Sequence, residues 1–416
     1  MPTLVVVGLG YVGLPLAQLA TRRGVTTIGL DTSVRVTDQL NAGRSHVDDI
    51  SDDEVATMVA QGFTATTDDA VLAEADTVIV CVPTPLSSDG GPDLSMVTSA
   101  MTTIGRRLTA GTLVVLESTT YPGTTEELVR PLLEEASGLR AGEDFSLAFS
   151  PERVDPGNQT YTVENTPKIV GGTTPACTER AAAFYGGLVD EVVLAKGTRE
   201  AEMAKLLENT YRHVNIALVN EMVRFSHELD IDFWDVIGLA STKPFGFQAF
   251  WPGPGVGGHC IPIDPNYLSH RVQEKLGYPF RFVELAQEIN ATMPRYVVQR
   301  IQSLLNDEGR AVKGSTILLL GVTYKPNIAD QRETPAQPLA EGLLQLGATV
   351  QYFDPYVEQW RVDGTVAVAD PVEAARVADL TVLVQVHDAF DVPELVGAAK
   401  RFFDLRGATA DGTERL

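Results

Sequence analysis

A single cysteine in a tightly shaped segment offers the clearest chemistry in this chain of 416 residues. Cys260 follows a stretch rich in glycine and proline at residues 252–258 and precedes further prolines at positions 262 and 265. Glycine permits unusual backbone angles and proline fixes them, so the segment is shaped around the thiol. A thiolate attacks carbonyl carbons well and leaves well from a thioester, which makes Cys260 a candidate nucleophile.

The other thiols and the neighbouring histidine offer weaker chemistry. Adjacent side chains in a loop usually diverge, so His259 is disfavoured as a base for Cys260. Further zinc ligands at suitable spacing are absent from the sequence, and no metal is expected. Cys81 and Cys177 are expected to be buried structural residues. Three widely spaced cysteines do not make a disulfide framework.

A second candidate site lies at the start of the chain, where a glycine pattern follows an apolar run. Residues 8–13 fit G-x-G-x-x-G between a predicted strand and a predicted helix, which is the context that dinucleotide binding requires. Asp31 ends the next predicted strand, where a carboxylate can bind a ribose 2′-hydroxyl and repel a 2′-phosphate. The pattern predicts NAD as the cofactor. Its expected contacts here are Gly8, Gly10, Tyr11, Val12, Gly13 and Asp31.

Candidate binding residues also follow three later predicted strands. These residues are Pro83 and Thr84 after 77–82, Ser118 and Thr119 after 112–116, and Glu152 and Arg153 after 146–150. Ligands of open α/β sheets bind at this edge, so the residues are candidates for contacts with the cofactor or with water. The alternatives are a helix cap for the hydroxyls and a solvated loop for the acid, and the residues alone leave them open.

Lys205 and Asn209 are four residues apart in a long helical pattern and therefore share one face of the helix. An ammonium and an amide on one face can stabilise an oxyanion. A surface lysine with a polar neighbour is the ordinary alternative.

Short apolar runs alternating with helical patterns must position all these residues. Such alternation predicts parallel sheets with helices on both sides. The predicted strands are residues 3–8, 28–31, 77–82, 112–116 and 146–150, and then 316–321, 349–354, 381–386 and, as the last strand, 402–404. The predicted fold class is α/β, with two Rossmann-like, doubly wound parallel-sheet domains joined by a central helical segment with one long helix.

Helical patterns complete the division of the chain. The long helix is predicted at 199–230, where apolar residues recur mostly every three or four positions. A second helix is predicted at 282–305, with Pro294 as its break. The predicted domains are residues 1–195, 196–305 and 306–416.

Charge and composition exclude several classes of protein. The chain has 32 basic and 55 acidic side chains and a net charge of −23. Such a chain is a poor binder of nucleic acid or of an anionic membrane. No apolar run approaches the ~18 residues that a membrane span needs, and a strand pattern begins at residue 3 without a cleavable leader. A cytoplasmic protein is expected.

The ordered set of motifs resembles the UDP-glucose/GDP-mannose dehydrogenase family of nucleotide-sugar 6-dehydrogenases. The resemblance runs over nearly the full length, and the order of the motifs makes it specific. The motifs lie at residues 8–13, 82–85, 118–124, 150–153, 202–210, 257–264, 321–325 and 332–334.

Within the family, residues 257–262 and 242–255 resemble the branch that acts on UDP-N-acetylhexosamines. Where UDP-glucose enzymes often carry a second acid, this chain has Pro156, which leaves open which carboxylate handles water. Those enzymes also more often carry Lys where Ile263 stands. UDP-GlcNAc or UDP-ManNAc is therefore the expected substrate. UDP-glucose and dTDP-glucose stay open, because acidic relatives also occur in antibiotic sugar pathways.

The resemblance implies oxidation of a sugar C6 alcohol to a carboxylate with two NAD. Cys260 would form a thiohemiacetal with the intermediate aldehyde and then a thioester that water hydrolyses. Lys205 and Asn209 would stabilise the oxyanions. The remaining catalytic positions are Asp264, to hold Lys205 or a water, and Thr119 and Glu152, to orient that water.

The resemblance also assigns binding roles along the chain. NAD would bind the first domain, the nucleotide sugar would bind the third, and the long helix would form a homodimer. Arg332 matches an arginine that reaches the active site, and it is counted with the cofactor contacts. The positions that match substrate contacts are Glu152, Arg153, Lys205, Asn209, Phe250, Gly257, Tyr324 and Lys325.

Two rival classes share the glycine pattern. A non-enzymatic NAD sensor would be expected to lack Cys260, Lys205 or Asp264, and all three are present. A two-electron dehydrogenase would yield one NADH for each substrate, in contrast to two for the four-electron reaction.

Overall fold

Contacts divide the chain into two compact units, each of which contains one sheet. The computed structural model describes residues 3–47, 50–87, 91–153, 158, 160–258, 260–409 and 412–416. The first unit is Met1–Glu208 with Asn266–Tyr278, and the second is Asn209–Pro265 with Pro279–Leu416. The three domains expected from the sequence, with boundaries at 195 and 305, stay a prediction.

The first unit contains an eight-stranded sheet. Its strands are β1 (Thr3–Val7), β2 (Thr26–Leu30), β3 (Thr64–Thr66), β4 (Thr77–Val80), β5 (Leu113–Leu116), β6 (Ser146–Phe149), β7 (Lys168–Gly172) and β8 (Val192–Leu194). The strand order is β3-β2-β1-β4-β5-β6-β7-β8. Central strands β4 and β5 are buried along their whole length, as a sheet covered on both faces requires.

One strand pair departs from the all-parallel prediction, because β6 and β7 are antiparallel. A parallel pair needs a crossover connection, usually a helix, whereas antiparallel strands do not. The described part of the connection between β6 and β7 contains turns and bends but no helix. The sequence pattern also missed β3, β7 and β8. These strands are short or, in β7, end in two glycines.

Helices and helical turns flank the first sheet. They are α1 (Gly13–Arg22), α2 (Val34–Asn41), α3 (Asp52–Ala60), a 3-10 segment at Asp69–Glu74, α4 (Ser95–Arg107), a π-helical turn at Thr125–Val129, α5 (Arg130–Ser137) and α6 (Pro175–Tyr185). Helix α3 begins with a capping box in which Ser51 and Glu54 satisfy each other's backbone N–H groups.

Four more helices follow along the chain. They are α7 (Thr198–Glu228), α8 (Phe233–Ser241), α9 (Asp264–Leu276) and α10 (Arg281–Asp307). Helix α7 has 31 residues, which confirms the predicted long helix, and it continues from the first unit into the second. Among the residues that the structure describes, no helix is both long and apolar enough to cross a membrane. The cytoplasmic location stays a prediction.

The predicted break at Pro294 is wrong, because α10 continues through it. A proline inside a helix removes one hydrogen bond and costs roughly 3 kcal/mol. Here the buried side chains of Ile289 and Met293 precede the proline, and those of Val297 and Val298 follow it. Packing on both sides therefore holds the helix together against that cost.

The second unit contains a six-stranded, all-parallel sheet. Its elements are β9 (Thr316–Leu320), α11 (Ala336–Gln345), β10 (Thr349–Phe353), β11 (Val366–Ala367), α12 (Pro371–Val377), β12 (Leu380–Leu383), α13 (Val392–Ala398), β13 (Phe402–Asp404) and β14 (Glu414–Arg415). The strand order is β11-β10-β9-β12-β13-β14. The prediction that 402–404 is the last strand is wrong, because β14 pairs with β13 at the sheet edge.

Candidate active site

The turn between β1 and α1 has the geometry of a diphosphate-binding turn. Gly8 has a φ of +91°, and a Cβ there would lie 2.8 Å from the carbonyl oxygen of Cys81. A Cβ on Gly13 would lie 1.8 Å from the carbonyl oxygen of Gly8. In contrast, a Cβ on Gly10 would meet nothing within 4 Å. Packing therefore requires glycine at positions 8 and 13. At Gly10 the space is open, so a ligand can come close to the protein backbone there.

The beginning of α1 adds a favourable field for an anion. Its N-cap residue is Val12, whose side chain has no acceptor for the first N–H groups of the helix, and its first turn contains no acidic residue. Those N–H groups and the helix dipole together favour a phosphate. Tyr11 and Val12 are both half-buried in this turn.

Asp31 lies directly after β2, and backbone groups fix its carboxylate. Oδ2 accepts a hydrogen bond from the N–H of Leu9 at 3.0 Å, and Oδ1 accepts one from the N–H of Ser33 at 2.9 Å. The residue is half-buried, so it is anchored next to the glycine turn without being sealed from solvent. This arrangement fits a ribose diol and disfavours a 2′-phosphate.

The ends of β4 and β5 are joined through a serine hydroxyl. Ser118 Oγ donates to the carbonyl oxygen of Val82 at 2.7 Å, which makes a strand-end contact and not the helix cap considered from the sequence. Thr84 is buried, and its carbonyl oxygen accepts a hydrogen bond from the hydroxyl of Tyr267. Pro83 is exposed and Thr119 is half-buried beside these groups.

Lys205 and Glu152 form a buried ion pair in the first unit. Lys205 Nζ donates to the Glu152 carbonyl oxygen at 2.7 Å and lies 3.2 Å from its Oε2. The two side chains are 7% and 9% exposed, which excludes the surface lysine and the solvated loop acid. Burying charged groups is costly even when they are paired, and such pairs are concentrated at functional sites. Arg153 next to Glu152 pairs instead with Glu208.

In the second unit, Cys260 begins the turn that leads into α9. Its carbonyl oxygen accepts the N–H groups of Ile263 at 3.3 Å and Asp264 at 2.9 Å. Asp264, the first residue of α9, is 2% exposed and accepts a hydrogen bond from Asn209 Nδ2 at 2.6 Å. Asp264 thus joins the amide of Asn209 to the turn that carries the half-buried Cys260.

The glycines before Cys260 pack against the turn that follows β9. A Cβ on Gly257 would lie 2.6 Å from Cβ of Tyr324, and a Cβ on Gly258 would lie 2.6 Å from the Tyr324 ring. Gly258 also donates its N–H to the carbonyl oxygen of Arg332 at 3.2 Å. Larger residues at positions 257 and 258 would push this segment away from Tyr324. The two glycines therefore allow it to lie against Tyr324 and the backbone of Arg332.

The remaining predicted residues of the second unit lie near this turn or on the neighbouring loop. Arg332 is half-exposed, and its guanidinium makes charge-assisted hydrogen bonds to both carboxylate oxygens of Asp330. Lys325 is half-buried. Phe250 packs edge-to-face on Tyr211 of α7, with ring centroids 5.7 Å apart.

Arg406 is a candidate that the motif analysis missed. It follows β13, its Nε donates to the carbonyl oxygen of Val384 at 2.7 Å, and Nη1 would lie 3.1 Å from a Cβ on Gly253. Burial lowers the pKa of its guanidinium to about 10, while the charge of Asp404 opposes the shift. A basic residue directly beyond a predicted strand end was the available signal.

A buried polar cluster in the first unit was also missed. Lys168 on β7 pairs with Glu117 at 2.8 Å, and the hydroxyl of Tyr185 donates to the same carboxylate. Burial raises the pKa of Tyr185 well above its usual value. Glu117 directly precedes Ser118, so the cluster anchors the end of β5.

The structure brings the predicted residues together in two sets, one in each unit. The first set contains the glycine turn, Asp31, Ser118 and the Lys205–Glu152 pair, and the second contains Cys260, Asp264, Asn209, Gly257, Tyr324 and Arg332. Lys205 and Asn209 are one turn apart on α7. His259 and Pro156 lie outside the described residues. Within the described ranges, no cluster of three or more His, Cys, Asp or Glu could hold a metal ion.

Most of the chain matches one protein family in three consecutive parts. The UDP-glucose/GDP-mannose dehydrogenase family matches by its NAD binding domain at residues 2–189, its central domain at 199–292 and its UDP binding domain at 318–411. The chain therefore belongs to the UDP-glucose/GDP-mannose dehydrogenase family. This confirms the predicted family, fold class, NAD cofactor and oxidoreductase activity, and a nucleotide sugar as the class of substrate.

Individual relatives are similar along most of their length. The chain is 37% identical over 354 residues to UDP-N-acetyl-D-glucosamine 6-dehydrogenase of Pseudomonas aeruginosa, covering 85% of this chain and 82% of the relative. It is 34% identical over 403 residues to UDP-N-acetyl-D-mannosamine dehydrogenase of Salmonella typhimurium, covering 93% and 94%. The solved structure of UDP-D-ManNAc dehydrogenase from Pyrococcus horikoshii superimposes with a TM-score of 0.90 at 32% identity, covering 99% and 98%.

Proposed function

We propose that this protein oxidises the C6 hydroxyl of a UDP-N-acetylhexosamine, UDP-GlcNAc or UDP-ManNAc, to a carboxylate. The supporting observation is the similarity, along most of the chain, to proteins named for these two sugars. Ile263, in the position where UDP-glucose enzymes more often have Lys, supports the same branch.

The proposed oxidation removes four electrons in two steps around one covalent intermediate. The C6 alcohol first loses a hydride and a proton to become an aldehyde. Cys260 Sγ then adds to C6, and protonation of the oxygen gives a thiohemiacetal. Loss of a second hydride and proton gives a thioester, and water breaks the C–S bond to release the carboxylate and the thiolate. NAD, when bound, would accept the hydride of each oxidation, with one NAD molecule used for each.

Lys205 and Asn209 are the proposed donors to the oxygen that carries negative charge in these steps. Lys205 is a buried ammonium already held by Glu152, so it needs little reorganisation to stabilise an alkoxide. Asn209 gives one amide N–H to Asp264, which fixes the amide plane. The second N–H of that amide is the one that we propose faces the oxyanion. Thr119 and Glu152 are proposed to orient the hydrolytic water.

The first unit provides the proposed NAD contacts. Open space at Gly10 and the N–H groups at the beginning of α1 suit the diphosphate, and the anchored carboxylate of Asp31 suits a ribose. The strand ends are proposed to contact the rest of the cofactor. These contacts are Pro83, Thr84, Ser118 and Thr119.

The second unit provides the proposed contacts with the nucleotide. Tyr324, Lys325 and Arg332 lie in residues 318–411, which match the UDP binding domain of the family. A chain with a net charge of −23 repels a diphosphate at long range, so local cations are needed to hold it. Arg153, Phe250 and Gly257 are proposed to contact the sugar side of the substrate.

A substrate panel with a count of NADH tests the proposal. UDP-GlcNAc, UDP-ManNAc, UDP-glucose, dTDP-glucose and GDP-mannose are each assayed for NADH and for the uronic acid. The expected result is the highest kcat/KM with one of the two N-acetylhexosamines and two NADH for each acid formed. A preference for UDP-glucose or dTDP-glucose would select that alternative, and one NADH with no acid would indicate a two-electron enzyme.

We also propose a homodimer through α7. Large apolar side chains on this helix are substantially exposed in the single chain. They are Met203, Leu207, Tyr211, Leu218 and Phe225. Their spacings of four or seven residues place them near one stripe, as in a helix that packs against a partner. Light scattering should give twice the mass of the 44.8 kDa chain, and Leu218→Glu should reduce it toward the monomer.

A further inference from the structure

A short segment beyond β12 holds the turn that carries Tyr324 and Lys325. Gln385 Nε2 donates to the carbonyl oxygen of Tyr324 at 2.9 Å. At the other end of the turn, the N–H of Asn327 donates to His387 Nδ1 at 3.0 Å. The N–H of Asp388 in turn donates to Asn327 Oδ1 at 2.9 Å. Residues 385–388 therefore form hydrogen bonds to both ends of the 324–327 turn.

The hydrogen bonds around His387 define which ring nitrogen accepts and which one donates. A backbone N–H can only donate, so Nδ1 must accept from Asn327 and cannot carry a proton. The proton is then on Nε2, which lies 3.0 Å from Asp354 Oδ2 and donates to it. The bond to Asp354 thus orients the ring so that Nδ1 faces the Asn327 N–H.

Packing leaves the imidazole no direct route to a ligand. The side chains of His387 and Asp354 are both 0% exposed. The ring packs against Tyr356 at 5.1 Å and edge-to-face on Phe390 at 5.2 Å between centroids. His387 can therefore influence a bound nucleotide only through the backbone that it holds.

The backbone that it holds is in an unfavourable conformation. Asn327 has a φ of +63°, a region that residues other than glycine rarely adopt. Asparagine tolerates this region better than most residues do, and contacts from its surroundings can stabilise it further. Here the bond from its N–H to Nδ1 and the bond from Asp388 to its side chain do so.

We propose that His387 is a positioning residue for nucleotide binding, which acts by fixing the turn of Tyr324, Lys325 and Asn327. This inference rests on the proposed function, in which Tyr324 and Lys325 contact the nucleotide. The acceptor at Nδ1 is the feature that matters, and Nε2 with Asp354 serves to keep that acceptor in place.

Two substitutions test the roles of the two ring nitrogens of His387 separately. The amide oxygen of His387→Asn falls near the place of Nδ1 and can still accept from the Asn327 N–H. The longer side chain of His387→Gln places its amide near Nε2, where it can serve Asp354 but leaves the Asn327 N–H without that acceptor. Both variants remove the ring, so loss of packing affects them alike.

The assay is UDP binding by calorimetry together with steady-state kinetics. His387→Gln should raise the Kd for UDP and the KM for the nucleotide sugar roughly tenfold, as expected when a buried N–H loses its partner. His387→Asn should stay within about twofold of the original protein for both quantities. The KM for NAD should not change in either variant. Lys325→Ala gives the largest effect that loss of the turn's cation can produce.

The outcomes distinguish this inference from the proposed function. Equal Kd values for UDP in the two His387 variants would overturn the inference, even if the original protein oxidises nucleotide sugars. Weaker UDP binding in His387→Gln alone would support it, even if the substrate panel shows no turnover and the proposed function fails. If His387→Gln does not fold, His387→Asn still tests the inference, because it keeps an acceptor for the Asn327 N–H. Its UDP Kd should stay within about twofold of the original value, and a Kd raised as much as in Lys325→Ala would contradict the inference.

Discussion

The two sheets end their first strands in the same way but use the resulting turns differently. In each sheet a glycine of positive φ follows the first strand, Gly8 after β1 and Gly321 after β9. In each, an acid after the neighbouring strand accepts a backbone N–H from the residue beyond that glycine, Asp31 from Leu9 and Asp354 from Val322. Both units therefore build the same scaffold at the carboxyl edge of a parallel sheet.

The next helix begins at different distances from this scaffold. Helix α1 begins at Gly13, a few residues after Gly8, whereas α11 begins at Ala336, after a long connection from Gly321. The first turn can thus present backbone N–H groups and a helix N-terminus to a phosphate. The second turn is longer and carries side chains, including Lys325 and Arg332.

The two acids also differ in what covers them. Asp31 is half-buried, whereas the side chain of Asp354 is fully buried and lies 3.0 Å from His387 Nε2. One scaffold can therefore recognise a dinucleotide by its backbone and ribose acid, and the other can recognise a nucleotide by cations on a braced turn. The difference lies in the connection and its cover, and not in the sheet.

The largest expected effect tests whether the thiol chemistry belongs to the second unit alone. Cys260→Ser should abolish formation of the uronic acid, because an alkoxide is neither as good a nucleophile at neutral pH nor as good a leaving group. Mass spectrometry of the product and the NADH count measure this loss. The matched control is Cys177→Ser in the first unit, which should retain acid formation. Full activity of Cys260→Ser would eliminate the covalent mechanism.

The control rests on the different settings of the cysteines. Cys81 and Cys177 are both buried. At Cys177 burial acts to raise the pKa of the thiol, but hydrogen bonds from Thr174 and Thr173 lower it overall, and the control rests on its 1% exposure. Burial raises the pKa of the Cys81 thiol well above its usual value. Cys81 therefore stays a protonated apolar residue. Loss of acid formation in Cys177→Ser at unchanged stability would place a second functional thiol in the first unit.

The next effect contrasts the pH dependence of the two units through two residues of α7. In the first unit, burial raises the pKa of Glu202 from 4.5 to about 7, against hydrogen bonds from Gly123 and Thr125. Between these values the folded state holds the extra proton, so the stability that Glu202 contributes is lost as pH rises. In the second unit, burial lowers the pKa of His213 from 6.5 to about 4. There the unfolded state holds the extra proton, and stability is lost as pH falls.

Uncharged substitutions at these two residues should show separately how each one makes stability depend on pH. In the original protein the free energy of unfolding should fall by about 3 kcal/mol as pH rises from 4.5 to 7, and Glu202→Gln should abolish this decrease. His213→Asn should remove a similar loss, about 3 kcal/mol, between pH 6.5 and 4. Hydrogen exchange at several pH values measures each unit separately. Slopes that match those of the original protein in both variants would contradict the assignment, and the double variant should have the flattest profile.

Local motifs could be predicted from the sequence, whereas contacts between distant segments could not. The glycine turn and Asp31 were accessible because a strand, a turn and a helix specify them within about 30 residues. The burial of Lys205 against Glu152 depends on packing, and the sequence left it open. His387 was missed because its bond to Asn327 joins segments 60 residues apart, and Arg406 because Gly253, which it approaches, lies far earlier in the chain.

Departures in the fold have the same origin. Pro294 predicted a helix break because its local cost is unfavourable, but packing on both sides of the proline outweighs that cost. The antiparallel β7 follows a connection without a crossover helix in its described part, and no local signal in the strand specifies its direction. Tertiary context decides both features.

The smallest expected effect tests the comparison of the two acids directly. Asp31→Asn should raise the KM for NAD roughly tenfold and improve the use of NADP, because the charge that repels a 2′-phosphate is removed. Asp354→Asn makes the same chemical change in the second sheet. It should lower the melting temperature, because it disturbs the bonds to Val322 and His387, but leave the ratio of NAD to NADP kcat/KM unchanged. Both variants are compared by kinetics with each cofactor and by thermal unfolding. The comparison would be wrong if Asp354→Asn changed that ratio or if Asp31→Asn left it unchanged. Asp31 would then not be the acid that selects the cofactor, or Asp354 would not act on the scaffold alone.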